Sequence, residues 1–376
     1  MKNQLKMEDR GQKVEVWKQE WEKLSPEAEI KMWDYFGLRQ WILKYTPRYG
    51  KVLEAGCGLG RYNFYLNHFG VETIGLDFSG DTIDFLKEWQ KKYNYNLEFL
   101  KGDVKKLPFE NNSLGGYLSF GVVEHFIEGP QKPIEEAFRV LRPGGIAIIS
   151  TPAPSWSKIY FSIIGFIKKR VKLLIGRTVD DKVFFQYEYT PIKLKKHVES
   201  IGFYISRFSG ADWLYTFTEF GKNSDRFIKK GSFGYLLSHW FEHGILSFLG
   251  AQSIVIAIKK EKLMHCFLCG IKAIIEDSLK EFDVPICNGC KASSTAQYYK
   301  KGNIVSYGKK YLISSSILKP CEKDCDFCGN KYFTDELFED FGFSKNVCMK
   351  CLNNKRVGFE LSNTDIQPIW RSRGRR

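Results

Sequence analysis

Eight of the ten cysteines fall in four Cys-x-x-Cys pairs: Cys266 and Cys269, Cys287 and Cys290, Cys325 and Cys328, Cys348 and Cys351. Two residues between thiols suit two ligands on one metal better than a disulfide. The first two pairs are separated by 17 residues and the last two by 19, with Gly270, Lys272 and Phe282 recurring as Gly329, Lys331 and Phe341. This internal repeat predicts two equivalent modules, 266–290 and 325–351, each closing its own site. Four thiolates give a closed tetrahedron, so each module is expected to hold a structural Zn2+ with no open position for catalysis. Cys321 is left over, and His265 reads as a neighbour rather than a ligand.

A second chemistry-bearing pattern lies far upstream, where acidic residues end three successive strand-like runs. Val52-Leu53-Glu54-Ala55 leads into Gly56-Cys57-Gly58-Leu59-Gly60. Glu72 to Leu76 ends at Asp77, followed by Phe78, and Leu97 to Leu100 runs on to Gly102-Asp103-Val104. Glycines at 56, 58 and 60 let backbone approach a ligand closely. A carboxylate at 54 would repel pyrophosphate but suits a cationic ligand. Asp77 is placed to accept from two ribose hydroxyls, and Asp103 from an adenine amino group. Cys57 reads as a small packing residue.

These residues must be positioned by strands alternating with helices. Tyr117 to Phe120 reads as a fourth strand, Pro133 opens a helix that closes at Pro143-Gly144-Gly145, and Ile146 to Ile149 is a fifth strand. A helix from Thr190-Pro191 to Gly202 precedes strand Phe203 to Ile205. The pattern predicts a mainly parallel α/β sheet with helices on both faces, binding its ligand beyond the carboxyl ends of the central strands.

Five segments taken together resemble the class I S-adenosylmethionine-dependent methyltransferases, over roughly residues 13–260. They are the glycine run 52–60, Gly75-Leu76-Asp77-Phe78-Ser79, Gly102 to Phe109, Ser119 to Phe126, and Leu141-Arg142-Pro143-Gly144-Gly145. The resemblance is strongest to the branch that methylates quinones, lipids and other small molecules. It implies a Rossmann-like seven-stranded methyltransferase sheet whose last strand lies near Ile254 to Ile258, and S-adenosyl-L-methionine as cofactor. By the same resemblance Gly56, Gly58 and Gly60 pass the methionine portion, Asp77 binds ribose, and Asp103 and Val104 meet adenine. Glu54, Cys57, Phe78 and Phe120 complete the cofactor set. Where the family often has Phe-Asp before the fourth strand, this chain has Leu114-Gly115. His125, just past that strand, is the candidate catalytic base, with bracing the loop as the alternative; Glu124 is equally ambiguous.

Residues 1–50 read as an N-terminal helical lid rich in aromatics (Trp17, Trp21, Trp33, Tyr35, Trp41), and 51–262 as the methyltransferase domain. Within it, 155–189 is an insertion for the acceptor, whose apolar run 159–167 followed by Lys168-Lys169-Arg170 could rest on an anionic membrane or fold back as a lid. Phe184 to Tyr189 could line the acceptor pocket. The charged run 259–262 reads as a linker to a zinc-binding region, 263–376, ending in a basic tail. The run 282–290 also resembles the zinc finger of the xeroderma pigmentosum group A DNA-repair protein.

The formal charge is +14, with 18 basic against 13 acidic residues from Leu263 onward. Four thiolates on each zinc would cancel most of that local excess, which tempers a nucleic-acid role. A polar N-terminus and apolar runs far shorter than a bilayer span give the expectation of a cytoplasmic protein. The leading expectation is a methyltransferase for a small or lipid-linked acceptor with a zinc-bound recognition tail. The alternatives are a nucleic-acid or protein methyltransferase guided by that tail, or a zinc-based binding module on an inactive scaffold.

Overall fold

A computed structural model describes residues 38–47, 50–68, 71–93, 97–160, 186–218, 245–275 and 278–291, with Leu237, Phe241 and the backbone of five short strands between 311 and 348. Seven strands form one sheet: β1 (Val52–Ala55), β2 (Thr73–Asp77), β3 (Glu98–Lys101), β4 (Leu114–Phe120), β5 (Leu141–Pro152), β6 (Tyr204–Ala211) and β7 (Gln252–Ile258). Their order is β3-β2-β1-β4-β5-β7-β6. Paired neighbours among β1 to β5 run parallel, whereas β7 is antiparallel to both β5 and β6. The carboxyl ends of β1 to β6 therefore share one edge.

The central strands are continuous apolar runs because both faces are covered, and alternate residues feed different cores. Ile146, Ile148, Ile254 and Ile256 pack on one face with Phe64, Tyr65 and Leu86, from helices α2 (Arg61–His68) and α3 (Gly80–Tyr93). Ala147, Ile149, Val255 and Ala257 pack on the other with Ile134 and Leu194, from α4 (Gln131–Val140) and α5 (Pro191–Ser200). α5 starts where expected: Thr190 accepts from the Lys193 N–H as N-cap and Pro191 occupies the first turn. Ser79 likewise accepts from Thr82 N at the start of α3. Trp41 stacks on Tyr45 within helix α1 (Leu38–Tyr45) and packs on the first core. The other lid aromatics, Trp17, Trp21, Trp33 and Tyr35, lie outside the described residues.

Two expectations need correction. Pro143-Gly144-Gly145 does not end a helix; α4 stops at Val140 and these residues lie within β5. The reason is tertiary: a β-carbon on Gly144 (φ +80°) would sit 2.6 Å from the His265 carbonyl oxygen, so glycine lets the later chain lie directly on β5. That chain is β8 (Met264–His265), and His265 Nδ1 also lies 3.0 Å from the Pro143 carbonyl oxygen.

Nor does the charged run 259–262 begin as a solvated linker. Lys259 is only 6 % exposed, and its Nζ donates to Asn112 Oδ1 (2.7 Å) and the Phe138 carbonyl (2.8 Å). Its backbone continues the ladder with Gly144 and Gly145. Lys259→Met is expected to leave two acceptors short of a partner and lower stability by about 1–3 kcal/mol. A denaturant melt showing no change would refute this role.

The first cysteine segment adds β8, β9 (Lys272–Ala273), α6 (Ser278–Phe282) and α7 (Asn288–Lys291). Met264, Phe267, Ile275, Leu279, Phe282, Val284 and Ile286 are buried in the same core as Ile42, Tyr45 and Ile258. Arg207 on β6 pairs with Asp283 at 2.8 Å. Further on, β10 (Tyr311–Ile313), β13 (Leu337–Asp340) and β14 (Asn346–Cys348) form an antiparallel sheet, and β11 (Glu322–Asp324) pairs with β12 (Lys331–Phe333). Among the described residues no helix is long and apolar enough to cross a membrane.

Candidate active site and metal centre

The turn after β1 carries three left-handed glycines: Gly56 (φ +75°), Gly58 (+50°) and Gly60 (+68°). The Gly56 and Cys57 N–H groups donate to the Leu76 carbonyl at 2.7 and 3.0 Å, clamping the loop onto β2. A β-carbon on Gly56 would lie 2.5 Å from Val122 Cγ2, so the loop and the turn after β4 approach as closely as glycine allows.

Asp77 ties the same loop from the end of β2. Its Oδ2 accepts from Gly58 N and its Oδ1 from Ser79 N, both at 3.0 Å. Burial raises its pKa, opposed by those N–H groups. Glu54, 4 % exposed, accepts from Asn63 N at 3.0 Å. Burial pushes its carboxyl up to about 8, against the pull of the Asn63 N–H and Arg61. In the free loop Glu54 is therefore largely neutral at pH 7, and a nearby cation would favour its ionisation.

Around this pair, Phe78 is 48 % exposed, Val104 is buried and Phe120 packs on Tyr62 with ring centroids 4.5 Å apart. Asp103 is exposed just after β3, and its Oδ1 accepts from Lys105 N at 2.9 Å. Cys57 is buried, with burial and the carboxyls of Glu54 and Asp77 pushing its thiol well up. Leu114 and Gly115 lie inside β4, where the Gly115 N–H donates to the Lys51 carbonyl. The sequence-predicted cofactor residues thus gather along the shared carboxyl edge.

His125 and Glu124 occupy a 3-10 turn, Val123–His125, directly after β4, with His125 Nε2 3.8 Å from Glu124 Oε1. The segment 186–189 crosses this turn: Tyr187 N donates to the Glu124 carbonyl, and Tyr189 N to the Pro152 carbonyl. Phe184 and Phe185, and the insertion from 161 to 185, lie outside the described residues; Ile159 and Tyr160 are exposed.

Sequence reasoning missed Tyr62, Trp156, Asp212 and Trp213. Asp212 is buried and left-handed (φ +64°) just after β6, a conformation that costs a non-glycine residue free energy. Trp156 and Trp213 stack at 6.2 Å, and their indole N–H groups reach Thr216 Oγ1 and the Leu246 carbonyl. These residues follow β5 and β6, so they border the same edge. The only available signal was an aspartate, one of the few residues tolerant of this backbone, directly after a strand.

Cys266, Cys269, Cys287 and Cys290 come together with all four sulfurs within 4.8 Å of one another. The Cys287 N–H donates to Cys266 Sγ at 3.3 Å. Burial pushes the Cys266 thiol up to about 11; at Cys287 burial is outweighed by hydrogen bonds from the Cys290 backbone and neighbouring thiols, which lower it. Four clustered thiols that resist simultaneous ionisation fit a divalent cation that would hold them as thiolates. This is one four-cysteine cluster that could chelate a metal. Of the second quartet, Cys325, Cys328 and Cys351 lie outside the described residues, and Cys348 ends β14.

Strand order, glycine turn and acidic strand ends together define a class I S-adenosylmethionine-dependent methyltransferase fold. Residues 53–149 match a protein family described as a methyltransferase domain. The chain is 28% identical over 152 residues to a probable S-adenosylmethionine-dependent methyltransferase of Mycolicibacterium smegmatis, covering 40% of this chain and 51% of that protein. It is 35% identical over 115 residues to a demethylmenaquinone methyltransferase of Paenarthrobacter aurescens, covering 29% of this chain and 43% of the relative. The chain thus spans about half the length of these curated relatives. Among solved structures, the PH0226 protein of Pyrococcus horikoshii is similar with a TM-score of 0.38 and 20% identity, covering 59% of this chain and 87% of that one.

Proposed function

We propose that the chain transfers the methyl group of S-adenosylmethionine to a small acceptor. The observation that carries this reading is the Asp77 carboxylate bridging the glycine loop and the start of α3, with buried Glu54 one strand away. Asp77 would take the ribose hydroxyls, Asp103 and Val104 the adenine, and the glycine backbone the methionine portion. The bound cofactor supplies a sulfonium, an already activated methyl electrophile. What remains for the protein is alignment and exclusion of water. Glu54 would offset the positive charge, giving up its proton as the cation enters. Phe120, Tyr62 and the tryptophan pair would wall the acceptor side.

A quinone or other lipid-linked acceptor is supported by the demethylmenaquinone methyltransferases among the relatives and by exposed Ile159 and Tyr160 where the insertion begins. Calorimetry should find one site per chain binding S-adenosylmethionine and S-adenosylhomocysteine at micromolar strength. Tritiated methyl groups should then pass to a member of a panel of quinols, amines and hydroxyl compounds. Absence of binding by both nucleosides would overturn the assignment.

The same reading gives the four described cysteines a structural zinc, and the second quartet another. The repeat extends to the backbone in support. β8 ends one residue before Cys266 and β9 begins three after Cys269; β11 and β12 bracket Cys325 and Cys328 with the same offsets.

A further inference from the structure

Glu124 is fully buried, yet neither carboxyl oxygen has a hydrogen-bond partner among the described residues. Leaving a carboxyl so costs free energy unless something else uses it. Its surroundings show where it points. Gly121 follows the last residue of β4 with φ +71°, and a β-carbon there would meet no atom within 4 Å, beyond its chain neighbours, except Glu124 Oε1 at 3.6 Å. Glu124 Oε1 is thus the atom nearest that position, and both carboxyl oxygens are closed to solvent. The next residue, Val122, is the one that presses on Gly56 of the glycine loop. Gly121 itself directly follows Phe120, one of the aromatic residues assigned to the acceptor side.

We propose that the Glu124 carboxyl faces the methyl-transfer position and takes the proton of an acceptor amine or hydroxyl. This rests on the methyltransferase reading above. In the step, the acceptor nitrogen or oxygen forms a bond to the methyl carbon and the carbon–sulfur bond breaks. Its electron pair goes to sulfur, leaving a neutral thioether, and the acceptor's proton passes to Glu124. Burial places the carboxyl at about 8, with Lys158 pulling it down, so it exchanges a proton near neutral pH as a general base must. The groups facing it are His125 on its own turn, Lys158, which is paired to Glu188 at 2.7 Å, and Tyr189. His125 becomes a positioning residue whose charge, when protonated, favours the carboxylate.

The test needs no knowledge of the acceptor. Sinefungin carries an amino group on the carbon that replaces the methylated sulfur, so it places an amine at the transfer position; S-adenosylhomocysteine places nothing there. The intact protein should bind sinefungin about tenfold more tightly, as a charge-assisted hydrogen bond allows. That preference should grow as pH rises through about 8, where Glu124 ionises. At pH 7, sinefungin binding should release a proton, read from calorimetry in buffers of different ionisation heat. Glu124→Gln should reduce both the preference for sinefungin and the excess proton release to the share that buried Glu54 supplies, with affinity for S-adenosylhomocysteine unchanged. Glu124→Asp, one methylene shorter, should fall between, and it decides the matter if the glutamine variant does not fold. Retention of the full preference and proton release in either folded variant would overturn the proposal. Failure of the unaltered protein to bind either nucleoside would instead sink the methyltransferase reading.

Discussion

Changing Asp77 to alanine is expected to weaken S-adenosylmethionine binding by about a hundredfold or more, the worth of two hydrogen bonds to a buried carboxylate. The loss has two sources. One is the ribose contact itself. The other is the loop: without the carboxylate, the N–H groups of Gly58 and Ser79 lose the acceptor that holds them on either side of the strand end. Asp77→Asn separates the two. Its amide oxygen can still accept from one of these groups, but its NH2 cannot accept from the other, so an intermediate loss of about tenfold is expected. Titration calorimetry reads the affinities, and a thermal scan checks that both variants remain folded. Wild-type affinity in both would remove Asp77 from the site.

Stripping metal from the cysteine cluster, or changing Cys266 to serine, is expected to destabilise the whole sheet. Read from sequence alone, the segment is an appendage whose failure would stay local. The structure makes Phe267, Leu279, Phe282 and Ile286 part of one core with Ile42, Tyr45 and Ile258. Burying side chains of this size is worth about 1.5–3 kcal/mol each, and a structural zinc contributes folding free energy on the order of 10 kcal/mol. Chelation should therefore lower the melting temperature by more than about 10 °C. Elemental analysis should find zinc, two ions per chain if the second quartet also closes a site. A melting temperature and nucleoside affinity unmoved by Cys266→Ser would show that the cluster is an independent appendage. Truncation after Lys262, which removes this part of the core, should fail in the same way.

The parts of this architecture legible in the sequence are those whose chemistry demands particular residues at short range. Left-handed turns need glycine, ligand hydroxyls need a carboxylate at a strand end, and a thiolate site needs paired cysteines. Hence the left-handed turn at Gly56 to Gly60, a carboxylate at the end of β2 in Asp77 and the clustering of Cys266, Cys269, Cys287 and Cys290 could be placed from their spacing. The misreadings arose where distant contacts override local preference. Pro143-Gly144-Gly145 has the composition of a turn, yet hydrogen bonds from Gly144 N to the Lys259 carbonyl and from Lys259 N to the Gly145 carbonyl extend β5 through it. Lys259 looks solvated until Asn112 and the Phe138 carbonyl are brought to it from more than a hundred residues away. Asp212 and Trp213 carry no motif; β6 alone delivers them to the carboxyl edge of the sheet.

The layout of sulfur along the sheet has a chemical consequence. An activated methyl donor alkylates thiolates readily, and a zinc-bound quartet is a dense store of them. Here the quartet follows β8, which packs at the amino end of β5, whereas the glycine loop lies at the carboxyl edge. The seven residues of β7 span the interval, about 20 Å at the usual rise per residue. Within the loop itself, the thiol of Cys57 is buried and its ionisation suppressed. The fold thus keeps these five described cysteines from consuming the reagent it is proposed to carry, a protection against self-alkylation that depends on which end of the sheet received the first quartet.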